Sequence, residues 1–233
     1  MQLKKKLMRG FGAAVDRVLG RPRPAKGERQ VAATLDGIRP DHVARYRFAA
    51  GFVCPTASVL DIACGVGYGS RILADTQATA TVLGVDLSTA AIDYAHRHYC
   101  APNLEYAVGD ALKIELPSNH FDLVVSFETI EHLAEAEAFL QRLKRFMKES
   151  AILVCSTPNE EISPFKADRY PFHVRHYRMH ELEQMLNRCG YEVKEWHSQQ
   201  DKHSSTVVPA GAGAFMIAVA GVQQERSGFT LQP

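Results

Sequence analysis

The segment Phe127–Leu133, "FETIEHL", carries the side chains in this sequence that are best suited to catalysis or ion binding. Glu128, Glu131 and His132 stand at i, i+3 and i+4, which would bring them to one face of a helical turn. Such a face could hold a metal ion, supply an acid or a base, or form only the polar rim of a helix start. The choice depends on what the rest of the chain builds around it.

Two histidines farther along could complete this site. His173 and His176 lie in "RYPFHVRHY", within the long loop expected after the fifth strand. Glu128, Glu131, His132 and His173 together form a mixed carboxylate and imidazole set that is compatible with Mg²⁺ or Mn²⁺. Without a metal, a histidine can serve as general base, so Glu128, His132, His173 and His176 are the candidate catalytic residues. A third possibility, besides the metal site and the general base, is that Glu131 and His132 only cap the following helix.

Three acids occupy comparable positions nearer the N-terminus. In "VLDIACGVGYG" a buried strand runs into Gly65 and Gly67, which allow close approach of a ligand, and Asp61 lies inside the strand end. An acid there would repel a pyrophosphate and suits a cationic α-amino or sulfonium group. Asp86 in "GVDLS" can accept both hydroxyls of a ribose. Asp110 in "VGDAL" stands where an adenine amino group could be read.

These residues need a sheet that gathers its strand ends at one edge. Short apolar runs alternate with helical stretches at 69–75, 89–99, 132–147 and 179–189, which predicts an α/β fold with a mostly parallel sheet and helices on both faces. The predicted strands are "SVLDIA", "TVLGVD", "LEYAVG", "FDLVVSF", "AILVCST", "YEVKEWH" and "AFMIAVAG". A Gly-rich loop joins the last two directly, so the last strand is predicted to be antiparallel.

Composition fits one soluble α/β domain. The chain has 233 residues, 46% apolar and 23% charged, and no apolar run approaches the roughly 20 residues of a membrane span. Five scattered cysteines without a CxxC pair indicate reduced thiols in a cytoplasmic protein. The N-terminus lacks the apolar core of a signal peptide.

Charge is concentrated at the N-terminus. Residues 1–26 carry eight Lys/Arg and one Asp, so the remaining chain sums to −6, which argues against extensive nucleic-acid binding. Residues 2–19 form a basic amphipathic pattern that could contact an anionic membrane surface or a partner protein, or pack on its own domain. We therefore expect an N-terminal helix and linker (1–26), a main domain (27–221) and a mobile tail (222–233).

The motifs "VLDIACGVGYGS", "GVDLS", "PNLEYAVGDA", "FDLVVSFETIEHL" and "STPN" occur in this order, and the chain from about residue 27 to 220 thereby resembles class I S-adenosylmethionine-dependent methyltransferases. The resemblance implies a Rossmann-like, seven-stranded, mostly parallel sheet with an antiparallel last strand. It also implies S-adenosylmethionine as cofactor, with the methionine portion near Asp61, the ribose at Asp86 and the adenine at Asp110. The full cofactor-binding set that it implies is Tyr46, Asp61, Ala63, Gly65, Gly67, Asp86, Leu87, Asp110, Ala111 and Phe127.

The segment upstream carries a narrower resemblance. "GERQVAATLDGIRPDHVARYRFAA" is similar to the head of bacterial methyltransferases found alongside polysaccharide-assembly enzymes. By that resemblance Glu28, Arg29, His42 and Tyr46 are candidates for lid or substrate contacts. The alternative is a helix that merely packs on the sheet. One departure from the wider family is "MKESAIL", where many relatives have a "KPGG"-type turn, remote from the cofactor.

Three functions are compatible with these motifs. The first is O-methylation of a small or lipid-linked molecule, with a sugar hydroxyl as the leading acceptor. The second is metal-dependent 2′-O-methylation of an RNA 3′ end, because Glu128, Glu131, His132 and His173 resemble the Glu-x-x-Glu-His plus distant His set of the enzymes that do this. The third is a non-catalytic module that binds the cofactor and recruits a partner.

Overall fold

The computed structural model describes residues 29–210 and 213–224. Glu28, the basic pattern over residues 2–19 and most of the predicted tail lie outside these ranges. The helices are α1 (Pro40–Ala50), α2 (Tyr68–Ala74), α3 (Thr89–His98), α4 (Ala136–Phe146) and α5 (Met179–Arg188). The strands are β1 (Ser58–Ile62), β2 (Thr81–Asp86), β3 (Leu104–Val108), β4 (Phe121–Phe127), β5 (Met147–Pro158), β6 (Tyr191–Gln199), β7 (Val208–Pro209) and β8 (Phe215–Val222).

All strands form a single sheet in the order β3-β2-β1-β4-β5-β8-β6-β7. The first five pair in parallel, and β8 inserts antiparallel between β5 and β6. This confirms the predicted Rossmann-like sheet with an antiparallel last strand. The structure adds β7, a two-residue strand that pairs with the end of β6 and is too short to give a period-2 pattern in the sequence.

Two apolar cores cover the two faces of the sheet. One core contains the buried faces of α4 and α5, including Leu140, Leu143 and Leu186. The other contains α1, α2 and α3, including Val43 and Leu73. Helices therefore lie on both faces, as the alternation of strands and helices predicts. Within the described ranges, no helix combines the length and the apolar character needed to cross a bilayer.

The start of the helix after β4 differs from the sequence prediction. The expected helix over 132–147 begins only at Ala136, and Ile130–His132 form a short 3-10 turn instead. Glu128 has a positive φ of 49°, and Leu133 is extended, so the backbone cannot run as one helix through this segment. The residue at the N-cap of α4 is Glu135, so neither Glu131 nor His132 caps this helix.

Candidate functional site

The carboxyl ends of β1, β2, β3 and β4 meet at one edge of the sheet, because these strands are parallel neighbours. In doubly wound sheets ligands bind at this edge. The predicted cofactor residues lie at these strand ends or in the turns that follow them, except for Tyr46, which lies in α1. The topology thus gathers side chains from distant parts of the sequence into one crevice.

Asp61, at the end of β1, is fully buried under two hydroxyl groups. Tyr46 donates a hydrogen bond to its Oδ1 (3.0 Å), and Ser70 donates to its Oδ2 (2.6 Å). Burial raises the pKa of Asp61 to about 7. The carboxyl group therefore links Tyr46 of α1 to Ser70 of α2 beside the crevice.

The turn after β1 has a left-handed backbone conformation and is packed closely against its neighbours. Ala63, Gly65 and Gly67 all have positive φ (60°, 61° and 87°). A Cβ on Gly67 would lie 2.5 Å from the hydroxyl oxygen of Tyr106, far inside contact distance. Glycine is required there both for the left-handed backbone and for the close approach.

Asp86, at the end of β2, is 4% exposed and is held by backbone and side-chain donors. The amide of Gly65 donates to its Oδ2 (2.8 Å), and the amide of Ser88 donates to its Oδ1 (2.9 Å). Arg29 also donates to Oδ1, from Nη2 at 2.9 Å. The next residue, Leu87, is 69% exposed.

Asp110 follows β3 and keeps part of its carboxylate accessible. Its Oδ1 accepts the amide of Leu112 (2.9 Å), and its Oδ2 lies 3.5 Å from Nζ of Lys113. Ala111 beside it is half-buried, and Val108 at the end of β3 is 48% exposed. Acids at two adjacent strand ends, with exposed apolar side chains next to them, suit a nucleoside, which offers hydroxyl and amino donors and an apolar ring. The residues present therefore fit S-adenosylmethionine.

Aromatic rings close the crevice at the end of β4. Phe127 is buried, and its ring meets that of Tyr46 edge to face at 4.9 Å. Tyr68, at the start of α2, packs edge to face on Tyr46 at 5.5 Å. His42 bonds to the Tyr68 hydroxyl through Nδ1 (2.9 Å), and burial lowers the pKa of His42 to about 3. The structure thus packs His42 and Tyr46 into the wall of the crevice.

Glu128 lies at the carboxyl end of β4 in a strained backbone conformation, with φ at 49°. Its amide donates to the carbonyl of Ser156 (3.0 Å), and the Ser156 hydroxyl donates to its Oε1 (2.7 Å). Nη1 of Arg45 lies 3.7 Å from the same oxygen. These contacts, made with β5 and α1, hold the carboxylate at the crevice.

Glu131, His132 and His173 come together, with one potential ligand atom of each within 4.8 Å of the others. Glu131 is fully buried, and Thr157 donates to its Oε2 (2.9 Å). Its Oε1 has no hydrogen-bond partner within residues 29–210 and 213–224. Burial, reinforced by the neighbouring Glu128 carboxylate, raises the pKa of Glu131 well above its usual range. Glu128, the fourth member of the predicted ion-binding set, is not part of this group.

Backbone carbonyls fix the orientation of the histidines. Nδ1 of His132 lies 2.8 Å from the carbonyl oxygen of Phe172, and Nδ1 of His176 lies 2.5 Å from that of Ser163. Carbonyl oxygens only accept, so both Nδ1 atoms carry a proton. A neutral His176 then presents its Nε2 lone pair to Nδ1 of His173, 2.7 Å away. In the neutral forms, Nε2 is therefore the unprotonated nitrogen of both His132 and His173.

The sequence interpretation missed Arg45, which is fully buried in α1. Its guanidinium donates to Oε1 of Gln199 (3.0 Å) and to Oδ2 of Asp41 (3.2 Å), and it lies over the ring of Phe215 at 4.8 Å. The i, i+4 spacing of Asp41 and Arg45 was a local signal for this ion pair. No local pattern indicated Gln199, which lies 154 positions away.

Comparisons with known proteins agree with this fold and show the family. The sequence profile described as "Methyltransferase domain" matches residues 60–155. A probable S-adenosylmethionine-dependent methyltransferase of Mycolicibacterium smegmatis is 30% identical over 185 residues, which cover 77% of this chain and 70% of that protein.

Two further relatives have names that describe different methyl acceptors. Phosphoethanolamine N-methyltransferase 3 of Arabidopsis thaliana is 30% identical over 144 residues, covering 59% of this chain and 29% of the relative. The phthiotriol/phenolphthiotriol dimycocerosates methyltransferase of Mycobacterium tuberculosis is 26% identical over 171 residues, covering 72% of this chain and 63% of the relative. Among solved structures, the methyltransferase bound to the Trm112 activator of Haloferax volcanii superposes with a TM-score of 0.69 at 18% identity, covering 79% of this chain and 91% of that one.

Proposed function

The chain belongs to the class I S-adenosylmethionine-dependent methyltransferases, and we propose that it methylates a hydroxyl group of a small or lipid-linked molecule, with a sugar hydroxyl as the leading acceptor. When bound, S-adenosylmethionine supplies an electrophilic methyl group on a sulfonium. The protein must align the acceptor oxygen with that group and take one proton from it.

The observation that supports an oxygen acceptor is that hydrogen bonds fix the tautomers of two imidazoles, those of His132 and His176. Nδ1 of His132 and of His176 donates to a backbone carbonyl, so in the neutral forms the unprotonated nitrogen of His132 and of His173 is Nε2. Such a nitrogen can accept the hydroxyl proton. A neutral amine already has its lone pair available and needs a base less. The lipid acceptor named for the Mycobacterium tuberculosis relative supports a lipid-linked hydroxyl, and the Arabidopsis N-methyltransferase makes nitrogen the competing acceptor.

For the cofactor, we propose one role for each strand end. Asp86 accepts the ribose hydroxyls, Asp110 accepts the adenine amino group, and the turn containing Gly65 receives the methionine portion. Glu128 lies beside the reacting methyl group. The remaining cofactor residues in this proposal are Tyr46, Asp61, Ala63, Gly67, Leu87, Ala111 and Phe127.

A divalent ion, Mg²⁺ or Mn²⁺, is the alternative role for the same side chains. Glu131, His132 and His173 would hold it, and the buried Oε1 of Glu131, which lacks a partner in the described structure, supports this. The ion would lower the pKa of the acceptor hydroxyl and fix its orientation. In that case vicinal hydroxyls, including the ribose of an RNA 3′ end, become the second candidate acceptor. A lone pair bound to an ion cannot accept a proton, so the two roles exclude each other at one nitrogen.

The acceptor is tested by offering the enzyme S-adenosylmethionine with a ¹³C-labelled methyl group and a panel of glycosides, glycolipids and amines. We expect the label to appear as an O-methyl signal by NMR, and to be lost in Glu128→Gln but not in the exposed control Glu135→Gln. An N-methyl product would overturn the proposal. Calorimetric titration with Mn²⁺ decides the ion: binding that is lost in Glu131→Gln and His173→Ala but kept in His180→Ala supports it, and absence of binding removes it.

We also propose that residues 27–221 form the catalytic domain and that residues 2–19 contact an anionic membrane surface from the cytoplasm. The concentration of basic residues before position 27 supports this. A chain starting at Gly27 should melt and bind S-adenosylhomocysteine like the full chain, but should no longer sediment with phosphatidylglycerol vesicles. Equal sedimentation of both chains would contradict the membrane contact.

A further inference from the structure

Arg29 covers the part of the crevice where the proposed function locates ribose and methionine. Its Nη2 donates to Oδ1 of Asp86 at 2.9 Å. Its Nε, Cγ and Cδ atoms come within 4.0 Å of the position that a Cβ on Gly65 would take. The Arg29 side chain is 32% exposed, whereas that of Asp86 is 4% exposed. One accessible cation, Arg29, therefore lies over both the Gly65 turn and the Asp86 carboxylate.

Asp86 does not have enough acceptor capacity for Arg29 and a ribose together. A carboxylate offers about four acceptor sites. Three donors already use them: the amides of Gly65 and Ser88 and the guanidinium of Arg29. The two amides belong to the backbone of the turns that shape the crevice, whereas Arg29 can rotate away. Two ribose hydroxyls need two sites, so Arg29 must release Oδ1 when the ribose binds.

The released guanidinium needs another anion, and the cofactor brings one. S-adenosylmethionine ends in an amino-acid carboxylate, and its methionine portion is proposed to lie at the Gly65 turn, which the stem of Arg29 already reaches. A guanidinium pairs with a carboxylate through two parallel hydrogen bonds. We infer that Arg29 exchanges the Asp86 carboxylate for the carboxylate of the bound cofactor, and so selects ligands that carry the amino-acid end. This inference rests on the proposed location of ribose at Asp86.

Two ligands test separately whether Arg29 competes for Asp86 and whether it binds the cofactor carboxylate. S-adenosylhomocysteine has the carboxylate, whereas 5′-methylthioadenosine keeps the ribose and adenine but lacks the amino-acid end. Calorimetric titrations of the full chain would compare the wild type, Arg29→Gln and the exposed control Arg47→Gln. In Arg29→Gln we expect S-adenosylhomocysteine to bind about tenfold more weakly or worse, the usual cost of losing a charge-assisted hydrogen bond. We expect 5′-methylthioadenosine to bind more tightly, because Asp86 loses its competing donor.

Only opposite shifts for the two ligands support the exchange. Shifts in the same direction, a shift for one ligand alone, or affinities equal to those of Arg47→Gln overturn it, provided that thermal melting shows Arg29→Gln to be folded. Asp86→Asn separates this inference from the proposed function. If that variant binds both ligands like the wild type, the proposed ribose site is wrong. If it weakens both while Arg29→Gln does not move them apart, only the exchange is wrong.

Discussion

The carboxyl group of Asp61 is the most heavily desolvated acid of the proposed cofactor site. It is fully buried, and its hydrogen-bond donors are the hydroxyls of Tyr46 and Ser70. Neutral hydroxyls offset the burial of a charge less than a cation would, and burial raises the pKa of Asp61 to about 7. Asp61 should therefore contribute to the pH dependence of the stability of the fold.

The direction of that dependence follows from the two pKa values. Below the ordinary value of 3.8 the carboxyl is protonated in both the folded and the unfolded chain, and above about 7 it is ionised in both. Between them only the folded chain keeps the proton, so the free energy of unfolding falls as pH rises, by about 4 kcal/mol in total at about 1.4 kcal/mol per pH unit. Asp61→Asn should lack this decline.

Urea unfolding at pH 5 and pH 8 measures the effect. We expect the stability of Asp61→Asn relative to the wild type to be higher at pH 8 than at pH 5. The exposed variant Asp93→Asn is the matched control and should show no such difference. A stability difference between wild type and Asp61→Asn that is the same at both pH values would contradict the raised pKa.

Sequence reasoning indicated some site residues and not others for a physical reason. Asp86 and Asp110 follow apolar strand patterns, so the local sequence predicts that they lie at strand ends. The partners of Glu131 are not: Thr157 lies 26 positions away, and the group with His173 depends on how the loop after β5 folds back. The residue types were predictable, whereas their hydrogen bonds required the assembled sheet.

At the scale of elements, one side chain joins α1 to the end of the sheet. Arg45 contacts Asp41 within α1, Gln199 at the end of β6 and Phe215 at the start of β8. It also lies 3.7 Å from the carboxylate of Glu128 after β4. The guanidinium thus fixes α1, which carries Tyr46, relative to the strand ends that form the crevice.

Replacing Arg45 by methionine should remove these links without leaving a large cavity. Asp41 then keeps its two hydrogen bonds from Arg39 but loses the one from Arg45, and losing a hydrogen bond to a charged group costs about 1.5–3 kcal/mol. We expect a large fall in melting temperature and a fall in methyl transfer, both measured beside the exposed control Arg47→Met. A melting temperature equal to that of the control would show that Arg45 does not hold these elements together.

The segment between β4 and α4 shows why element boundaries were harder to predict than elements. The sequence predicts β4 from its apolar run and α4 from its amphipathic pattern, but it also predicts helix from residue 132, within the turn between them. The amide of Glu128 donates to the carbonyl of Ser156, 28 positions away, and its φ is positive. A backbone conformation held by such a distant contact leaves no periodicity in the local sequence.

At the scale of the whole molecule, the function depends on strand order. Parallel pairing of β3, β2, β1 and β4 brings Asp110, Asp86, Asp61 and Glu128 to neighbouring positions along one edge, although they are spread over 68 positions of the sequence. The alternating pattern of strands and helices predicts that edge, whereas the class of cofactor follows from the resemblance of the motifs to the methyltransferase family. It did not predict the insertion of β8 between β5 and β6, which puts Phe215 against Arg45.

Calorimetric titration of S-adenosylhomocysteine into the wild type, Asp110→Ala and Asp93→Ala examines that edge as a binding site. We expect one molecule to bind per wild-type chain, with the same affinity in Asp93→Ala and an affinity reduced by about tenfold or more in Asp110→Ala, because a buried amino donor loses its acceptor. No binding to the wild type, or undiminished binding to Asp110→Ala, would contradict a cofactor site at the carboxyl ends of these strands.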